Sequence, residues 1–228
     1  KNPLTILFAF ALMLCATAAC SSSTDKGETA AADPNGLPVY NIPFSDTSTI
    51  DKADKKVLVL SASPAAGNTD LLCDEFVKGA TEAGGNVEKI FLDDYRIDFF
   101  HEEHSVAPDT VLTEGDQAPM LVQKMADADI IVLSSPVYYM NIDGQLKTLM
   151  DRCYRNKGLE GKEFYYITAC ADPDEATAET AIYAFRGFVV CLPRPTERGS
   201  VKAIGMGRKG AVQDSQYLNE AYLLGKTI

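Results

Sequence analysis

The sequence predicts a doubly wound α/β fold, in which a five-stranded parallel sheet lies between two layers of helices. Five short runs are rich in aliphatic and β-branched residues, which is typical of parallel strands buried on both faces. Stretches with helical spacing of apolar residues separate these runs. Regular alternation of strand and helix favours a parallel sheet with crossover helices over other arrangements.

Each predicted strand is a short apolar run. The first reads KVLVLS and the third contains the continuous run IIVL. Runs of this length are too short for typical helices and suit buried strands. The predicted strands cover residues 56–61, 87–92, 130–133, 164–169 and 200–206.

The helices are predicted from apolar residues that recur every three or four positions. In the first helix, Leu72, Phe76 and Ala80 share one face, and Gly84-Gly85 ends the helix. In the fourth, Phe185 and the neighbouring Phe188 are expected in the core rather than against a ligand. The predicted helices cover residues 69–83, 120–126, 144–154, 178–192 and 215–225.

Composition limits the classes of function. The chain has 228 residues, of which 46% are hydrophobic and 23% charged, as in globular proteins. Its formal net charge is −11, which disfavours binding to nucleic acid or to an anionic membrane surface. Only one apolar run has a length near that of a membrane span, so a multi-pass membrane protein is excluded.

The N-terminal segment predicts export. Leu4–Ala19 carries no charge and follows Lys1, as in a secretory signal peptide. Small residues then precede Cys20, and three serines follow it, a pattern that resembles the lipobox of bacterial lipoproteins. The resemblance implies lipidation of Cys20 and an exported protein held at the bacterial cell envelope by that lipid alone. A secreted protein and an uncleaved anchor are the alternatives.

Three regions are expected along the chain. Residues 1–20 form the signal peptide, residues 21–54 a flexible linker and residues 55–228 the folded domain. The linker is rich in Ser, Thr, Asp, Ala, Gly and Pro. Its apolar stretch, Leu37–Phe44, is expected to pack on the domain.

The loop after the first strand is a candidate anion site. Ser61 and Ser63 supply hydroxyl groups, Gly67 permits a tight turn, and Asn68 and Thr69 open the helix. A helix N-terminus that follows such a loop favours phosphate, because its first N–H groups lack intrahelical partners. The alternative is that Asn68 or Thr69 only caps the helix.

The loop after the third strand is a candidate surface for a flat ring. It contains Pro136, Val137, Tyr138, Tyr139 and Asn141. Aromatic side chains beside hydrogen-bonding groups suit a heteroaromatic ligand with a polar edge. The alternative is that the two tyrosines cover the end of the sheet.

Three blocks of sequence carry a family resemblance. They are Leu60–Pro64 with Gly67–Leu72, Ala128–Val132 with Ser135–Tyr138, and Gly144–Lys147 with Asp151-Arg152. In this order they resemble the NADPH-dependent FMN reductase family, and within it the iron–sulfur flavoproteins. The resemblance implies a flavodoxin-like fold with bound FMN.

The same resemblance assigns roles to the two loops. Ser61, Ser63, Asn68 and Thr69 would hold the FMN phosphate, with Gly67 in the turn. The loop after Cys170 would close a third side of the site. The residues that would border the isoalloxazine ring are Pro136, Val137, Tyr138, Tyr139 and Asn141.

Two departures from the family stand out. Family members often carry Arg or Lys in the phosphate loop, where this chain has Ala65 and Ala66. The iron–sulfur branch has closely spaced cysteines after the second strand, whereas this chain has none between Cys73 and Cys153. An iron–sulfur cluster is therefore not expected.

The histidines and the remaining cysteines give weak signals. His101 and His104 flank two glutamates, so a metal site and a solvated loop are both open, and two imidazoles favour the loop. The cysteines of the domain fall at apolar positions, where free Cys acts as a small hydrophobe. Export permits one disulfide, but no spacing indicates a framework. These cysteines are Cys73, Cys153, Cys170 and Cys191.

The resemblance implies an FMN-dependent oxidoreductase. NAD(P)H or another donor would reduce the flavin, which would reduce a quinone, a flavin or a similar small acceptor. No catalytic acid, base or nucleophile is predicted, because FMN carries the chemistry. The resemblance also implies a homodimer.

Two other functions stay open. The export signal favours a membrane-tethered, flavodoxin-like electron carrier with a membrane redox partner, because NADPH and FMN are cytoplasmic metabolites. The Ala65-Ala66 departure makes a flavin-free binding module of the same fold possible.

Overall fold

A computed structural model of the protein describes residues 39–46, 55–101 and 111–228. Five parallel strands form one sheet in the order β2-β1-β3-β4-β5. The strands are β1 (Lys56–Ser61), β2 (Asn86–Phe91), β3 (Ile130–Pro136), β4 (Glu163–Ala169) and β5 (Thr196–Ala203). The helices are α1 (Asn68–Glu82), α2 (Ala118–Asp127), α3 (Gly144–Arg152), α4 (Glu175–Val189) and α5 (Tyr217–Gly225). The predicted doubly wound α/β fold is confirmed.

Two apolar cores lie on opposite faces of the sheet. Leu58 and Leu60 of β1 belong to the core that α2, α3 and α4 cover. Val57 and Val59 belong to the core beneath α1 and α5. Successive side chains of a strand point to opposite faces, so one continuous apolar run serves both cores. The three predicted layers follow from this arrangement.

The strand order places a crevice between β1 and β3. The chain passes from β1 outward to β2, then returns to the other side of β1 to form β3. Helices that leave neighbouring strands toward opposite faces open a gap at the carboxyl ends of those strands. Ser61 and Ser134 are in register at this end of β1 and β3. The loops after these strands therefore form the candidate site.

Helix α1, which begins at this crevice, is held firmly by α5. A Cβ atom on Gly79 would lie 2.1 Å from the carbonyl oxygen of Tyr222. A Cβ atom on Gly225 would lie 2.2 Å from the carbonyl oxygen of Phe76. Only glycine permits such close backbone contact, and this contact fixes the position of α1 on the sheet.

The boundary of β5 differs from its prediction. The strand begins at Thr196 rather than at residue 200. Glu197 and Arg198, two charged residues near its start, are buried. Arg198 forms an ion pair with Glu163 of β4, and Glu197 forms one with Arg186 of α4. The charged residues masked the strand pattern, which depends on apolar side chains.

Part of the predicted linker pairs with β5. The amide of Glu197 donates to the carbonyl oxygen of Pro43 at 2.8 Å, and the amide of Ser45 donates to Glu197 O at 3.0 Å. The Tyr40 and Tyr183 rings lie 4.9 Å apart. The packing expected of this apolar stretch is therefore observed for residues 40–45.

The described residues contain no helix with the length and hydropathy of a membrane span. Cys20 and the rest of the predicted signal peptide lie outside the described residues, so lipidation stays a prediction.

Candidate functional site

The loop after β1 makes a tight turn that places the start of α1 at the crevice. The Gly67 amide donates to Pro64 O at 2.8 Å. A Cβ atom on Gly67 would lie 2.5 Å from Ser63 Oγ and 2.8 Å from Pro64 O, so this turn requires glycine. Ala66 adopts a positive φ of 55°. The turn brings the first N–H groups of α1 to the carboxyl edge of the sheet.

Thr69 provides the clearest signal of a ligand in this loop. Thr69 is 1% exposed, and its Oγ1 is buried without a hydrogen-bond partner in the described structure. A buried hydroxyl without a partner costs about 1–3 kcal/mol. Thr69 lies in the first turn of α1, where backbone N–H groups also favour an anion. This hydroxyl and the helix N-terminus together fit a phosphate group.

Asp70 holds the loop after β1 through hydrogen bonds. Its carboxylate accepts hydrogen bonds from Ser61 Oγ at 3.3 Å and from the Ala66 amide at 2.9 Å. Lys89 Nζ lies 2.6 Å from Asp70 Oδ1 and neutralises the buried charge. Burial opposes the charged form of Lys89, but hydrogen bonds to Asp70 and Asp74 outweigh it and raise the lysine pKa. Sequence reasoning missed both Asp70 and Lys89.

The Asn68 side chain bonds to the loop after β5. Its Nδ2 donates to Met206 O at 2.8 Å and Arg208 O at 2.9 Å, and its Oδ1 accepts from the Val212 amide at 3.2 Å. The N-cap of α1 is Gly67, so Asn68 is not the cap. Its amide instead joins α1 to the loop after β5.

The predicted phosphate residues therefore divide into two groups. Thr69 is the hydroxyl whose hydrogen-bonding capacity remains unused, and Ser63 makes only a long contact, 3.4 Å, to Pro64 O. Ser61 and Asn68 direct their side chains to Asp70 and to the loop after β5. We expect the latter two to shape the loop rather than contact the ligand.

The loop after β3 ends in a strained turn. Tyr138 and Asn141 exchange two backbone hydrogen bonds, of 2.8 and 3.0 Å. Between them, Tyr139 and Met140 have φ values of 49° and 60°. Positive φ at both central positions defines a type I′ turn, which normally selects Asn and Gly. Each bulky residue there costs roughly 1–2 kcal/mol.

The strained turn presents apolar side chains to solvent. Tyr139 is fully exposed, and Tyr138 and Met140 are about half exposed. The predicted alternative, that both tyrosines cover the sheet end, does not describe this conformation. Strained backbone beside exposed aromatic surface favours a binding role over a packing role.

The base of this turn is rigid. The Val137 amide donates to Ala169 O at 3.1 Å, and the Asp143 amide donates to Ser135 Oγ at 2.7 Å. Asp143 also caps α3 by accepting from the Gln145 amide at 2.8 Å. Pro136 ends β3, and Asn141 Oδ1 accepts from the Ile142 amide. These contacts hold the exposed turn at the crevice.

The loop after Cys170 is joined to the loop after β5. Cys170 O accepts from the Met206 amide at 2.7 Å, and Asp172 O accepts from the Gly205 amide at 2.8 Å. The predicted third side of the candidate site would therefore consist of two connected loops. The loop after β5 was missed by sequence reasoning, because nothing local to it indicates its contact with α1.

The cysteines give a prediction about thiol reactivity. Burial raises the pKa of both Cys73 and Cys153 to about 12, whereas Cys191 is exposed, against the expectation that it faces inward. At pH 8 the two buried thiols are almost entirely protonated, and a thiol is a poor nucleophile. We expect iodoacetamide to modify Cys191 first among the described cysteines. Peptide mapping by mass spectrometry measures this order, and equal labelling of Cys73 in folded protein would contradict it.

No group of His, Cys, Asp and Glu suitable for a metal occurs within the described ranges. Cys73, Cys153, Cys170 and Cys191 are all free thiols. His104 lies outside the described residues, so the alternatives for the His101–His104 segment stay open.

A family comparison identifies what kind of protein carries this site. Residues 55–193 match the model of the NADPH-dependent FMN reductase family. The chain belongs to this family. The resemblance drawn from the sequence motifs is thereby confirmed, and with it the expectation of FMN as the cofactor.

The chain is also similar to curated iron–sulfur flavoproteins. An iron–sulfur flavoprotein of Methanocaldococcus jannaschii is 36% identical over 103 residues, which are 42% of this chain and 51% of the relative. One from Archaeoglobus fulgidus is 28% identical over 98 residues, or 43% of this chain and 44% of the relative. The chain thus spans about half the length of the curated relatives it matches.

Solved structures share the flavodoxin-like fold. An FMN-dependent NADH-azoreductase of Bacillus anthracis, in complex with FMN, has a TM-score of 0.55 at 17% identity, covering 76% of this chain and 96% of its own. An NAD(P)H:quinone oxidoreductase of Methanothermobacter marburgensis has a TM-score of 0.56 at 18% identity, with the same coverage of 76% and 96%. At these identities the likeness concerns the fold alone.

Proposed function

We propose that this protein is an FMN-dependent NAD(P)H oxidoreductase that reduces a quinone, a flavin or a similar small acceptor. The observation that carries the proposal is the buried, unpartnered Thr69 Oγ1 at the N-terminus of α1. It supports an anion site on the crevice where a flavodoxin-like sheet binds its ligand. The exposed aromatic turn at residues 138–141 supports a neighbouring ring site.

The two loops would divide the work of binding. Thr69 Oγ1 and the N–H groups of the first turn of α1 would receive the phosphate. Tyr138 and Tyr139 would contact the ring, and the hydrogen bonds between Tyr138 and Asn141 keep that surface in place. Bound FMN supplies the redox chemistry, taking two electrons from the donor and passing them to the acceptor. The protein's share is position, electrostatics and access.

The exposure of the turn supports a small external acceptor. Tyr139 is fully exposed, so the ring site opens to solvent rather than to a closed cavity. A ring held there would be within reach of a planar acceptor such as a quinone or a second flavin.

Absorption spectroscopy under anaerobic conditions tests the proposal. The purified protein, supplied with FMN and desalted, is expected to show the two visible bands of a flavoprotein. NADPH or NADH under anaerobic conditions should bleach them, and a quinone should restore them. A protein that retains no flavin would favour the flavin-free binding module. Retained flavin that neither nucleotide reduces would favour the electron carrier.

A further inference from the structure

The loop after β5, residues 204–212, carries two cationic residues beside the start of α1. The carbonyl oxygens of Met206 and Arg208 accept from Asn68 Nδ2 at 2.8 and 2.9 Å. The Val212 amide donates to Asn68 Oδ1 at 3.2 Å. Asn68 is the first residue of α1, so three hydrogen bonds hold this loop against the N-terminus of the helix.

The backbone of the loop is fixed on its other sides too. The Met206 amide donates to Cys170 O at 2.7 Å, and the Ala211 amide donates to Arg208 O at 3.0 Å. Val212 is fully buried in the core beneath α1 and α5. Arg208 and Lys209 are exposed between these anchors. Two long cationic side chains thus belong to a backbone segment that is hydrogen-bonded to the first residue of α1.

Other cations at this edge are already engaged. Lys89 pairs with Asp70 beneath the loop after β1, and Lys202 pairs with Glu175 and Glu179 of α4. The loop after β1 has Ala65 and Ala66 where relatives often carry a basic residue. Within the described part of the chain, Arg208 and Lys209 form no ion pair.

A ligand at this position is indicated by an independent observation. Thr69 Oγ1, next in sequence to Asn68, is buried and unpartnered. A hydroxyl in that condition calls for an acceptor or a donor from outside the described chain. A dianionic phosphate that fills this place would lie in a protein of net charge −11, where a local cation matters most.

We propose that Arg208 and Lys209 supply the positive charge for the FMN phosphate, and that Asn68 is the positioning residue that holds them there. The loop after β5 thereby replaces the basic residue that the loop after β1 lacks. The inference rests on the proposed function, because it concerns the phosphate of the same bound FMN. It makes the loop after β5 a second determinant of preference for phosphorylated flavin, beside the start of α1.

The test compares FMN and riboflavin affinities of the full chain by flavin fluorescence. In the double variant Arg208→Gln/Lys209→Gln, the FMN Kd is expected to rise at least about tenfold, because charge-assisted contacts are lost. The riboflavin Kd should stay unchanged, and the dependence of FMN affinity on salt should weaken. The matched control is Arg155→Gln/Lys157→Gln, which removes the same charge from the chain segment before β4 and should alter neither affinity.

A double-mutant cycle tests the positioning role of Asn68. Asn68→Ala alone is expected to reduce FMN affinity severalfold while riboflavin affinity persists. Introduced into the Arg208→Gln/Lys209→Gln background, it should cause little further loss, because coupled residues act through one interaction. Full additivity of the two changes would contradict the assigned role.

Outcomes for this inference and for the proposed function separate cleanly. If the wild-type protein prefers FMN and the double variant keeps the same preference, the inference is wrong and the function stands. If the variant instead loses only its discrimination between NADPH and NADH, the cations serve the nucleotide and the inference is equally wrong. Binding of neither flavin by the wild-type protein would overturn both.

Discussion

FMN is expected to bind this protein at least about a hundredfold more tightly than riboflavin, which lacks only the phosphate. Charge-assisted hydrogen bonds contribute about 1.5–3 kcal/mol each, and each 1.4 kcal/mol is tenfold in affinity. Two such bonds at the start of α1 therefore suffice. Fluorescence titration of both flavins measures the ratio, and equal affinities would contradict the phosphate site.

Thr69→Val tests whether the Thr69 hydroxyl serves ligand binding or protein stability. The substitution keeps the shape of the side chain and removes the buried, unpartnered hydroxyl. We expect the flavin-free protein to become more stable by about 1 kcal/mol, because the cost of the unsatisfied group disappears. FMN affinity should fall while riboflavin affinity stays unchanged. A loss of stability would show instead that the hydroxyl serves the fold.

Gly67→Ala provides the complementary change. The new Cβ would lie 2.5 Å from Ser63 Oγ and 2.8 Å from Pro64 O, so the turn must open. We expect loss of most of the preference for FMN, because the N–H groups of α1 would move away from the phosphate. Gly144→Ala is the matched control, since a Cβ on Gly144 meets nothing within 4 Å.

Arg198→Met is expected to destabilise the domain by about 3–5 kcal/mol, the usual effect of removing one partner from a buried ion pair. The Arg198 and Glu163 side chains are both essentially inaccessible, and the change leaves the Glu163 carboxylate without this partner. Arg198 also donates to Ser45 O at 3.2 Å, so residues 40–46 should loosen from β5. Urea denaturation measures the free energy of unfolding.

Two further variants show whether burial is the cause. Arg194→Met removes an exposed pair with Glu160, whose side chains are 79% and 49% accessible, and should cost less than about 1 kcal/mol. Glu163→Leu combined with Arg198→Met removes both buried charges and should recover much of the lost stability. A small effect of Arg198→Met alone would contradict the assignment of this pair as a buried structural element.

Local sequence was sufficient for most of the fold. Continuous apolar runs such as Val57–Leu60 predict buried parallel strands, because both faces of such a strand need apolar side chains. The helical spacing of Leu72, Phe76 and Ala80 predicts α1, because a helix packed on a sheet needs apolar side chains along the face that it buries. The alternation of strands and helices predicts the parallel sheet, and it predicts that the candidate site lies at the carboxyl ends of the strands. Gly67 and Thr69 could be predicted as candidate site residues because turns and helix starts are local features.

Tertiary structure decided what each polar side chain does. Asn68 is assigned to a phosphate by its place in the loop, yet its partners lie about 140 positions away, in residues 206–212. The charge of Arg198 alone would place it at the surface. It is buried instead, where it forms an ion pair with Glu163 of β4. The partners of a polar group are chosen by contacts across the fold, and the sequence pattern near that group carries no information about them. Apolar periodicity therefore determined where this chain is buried, whereas long-range hydrogen bonds and ion pairs determined how its site is built.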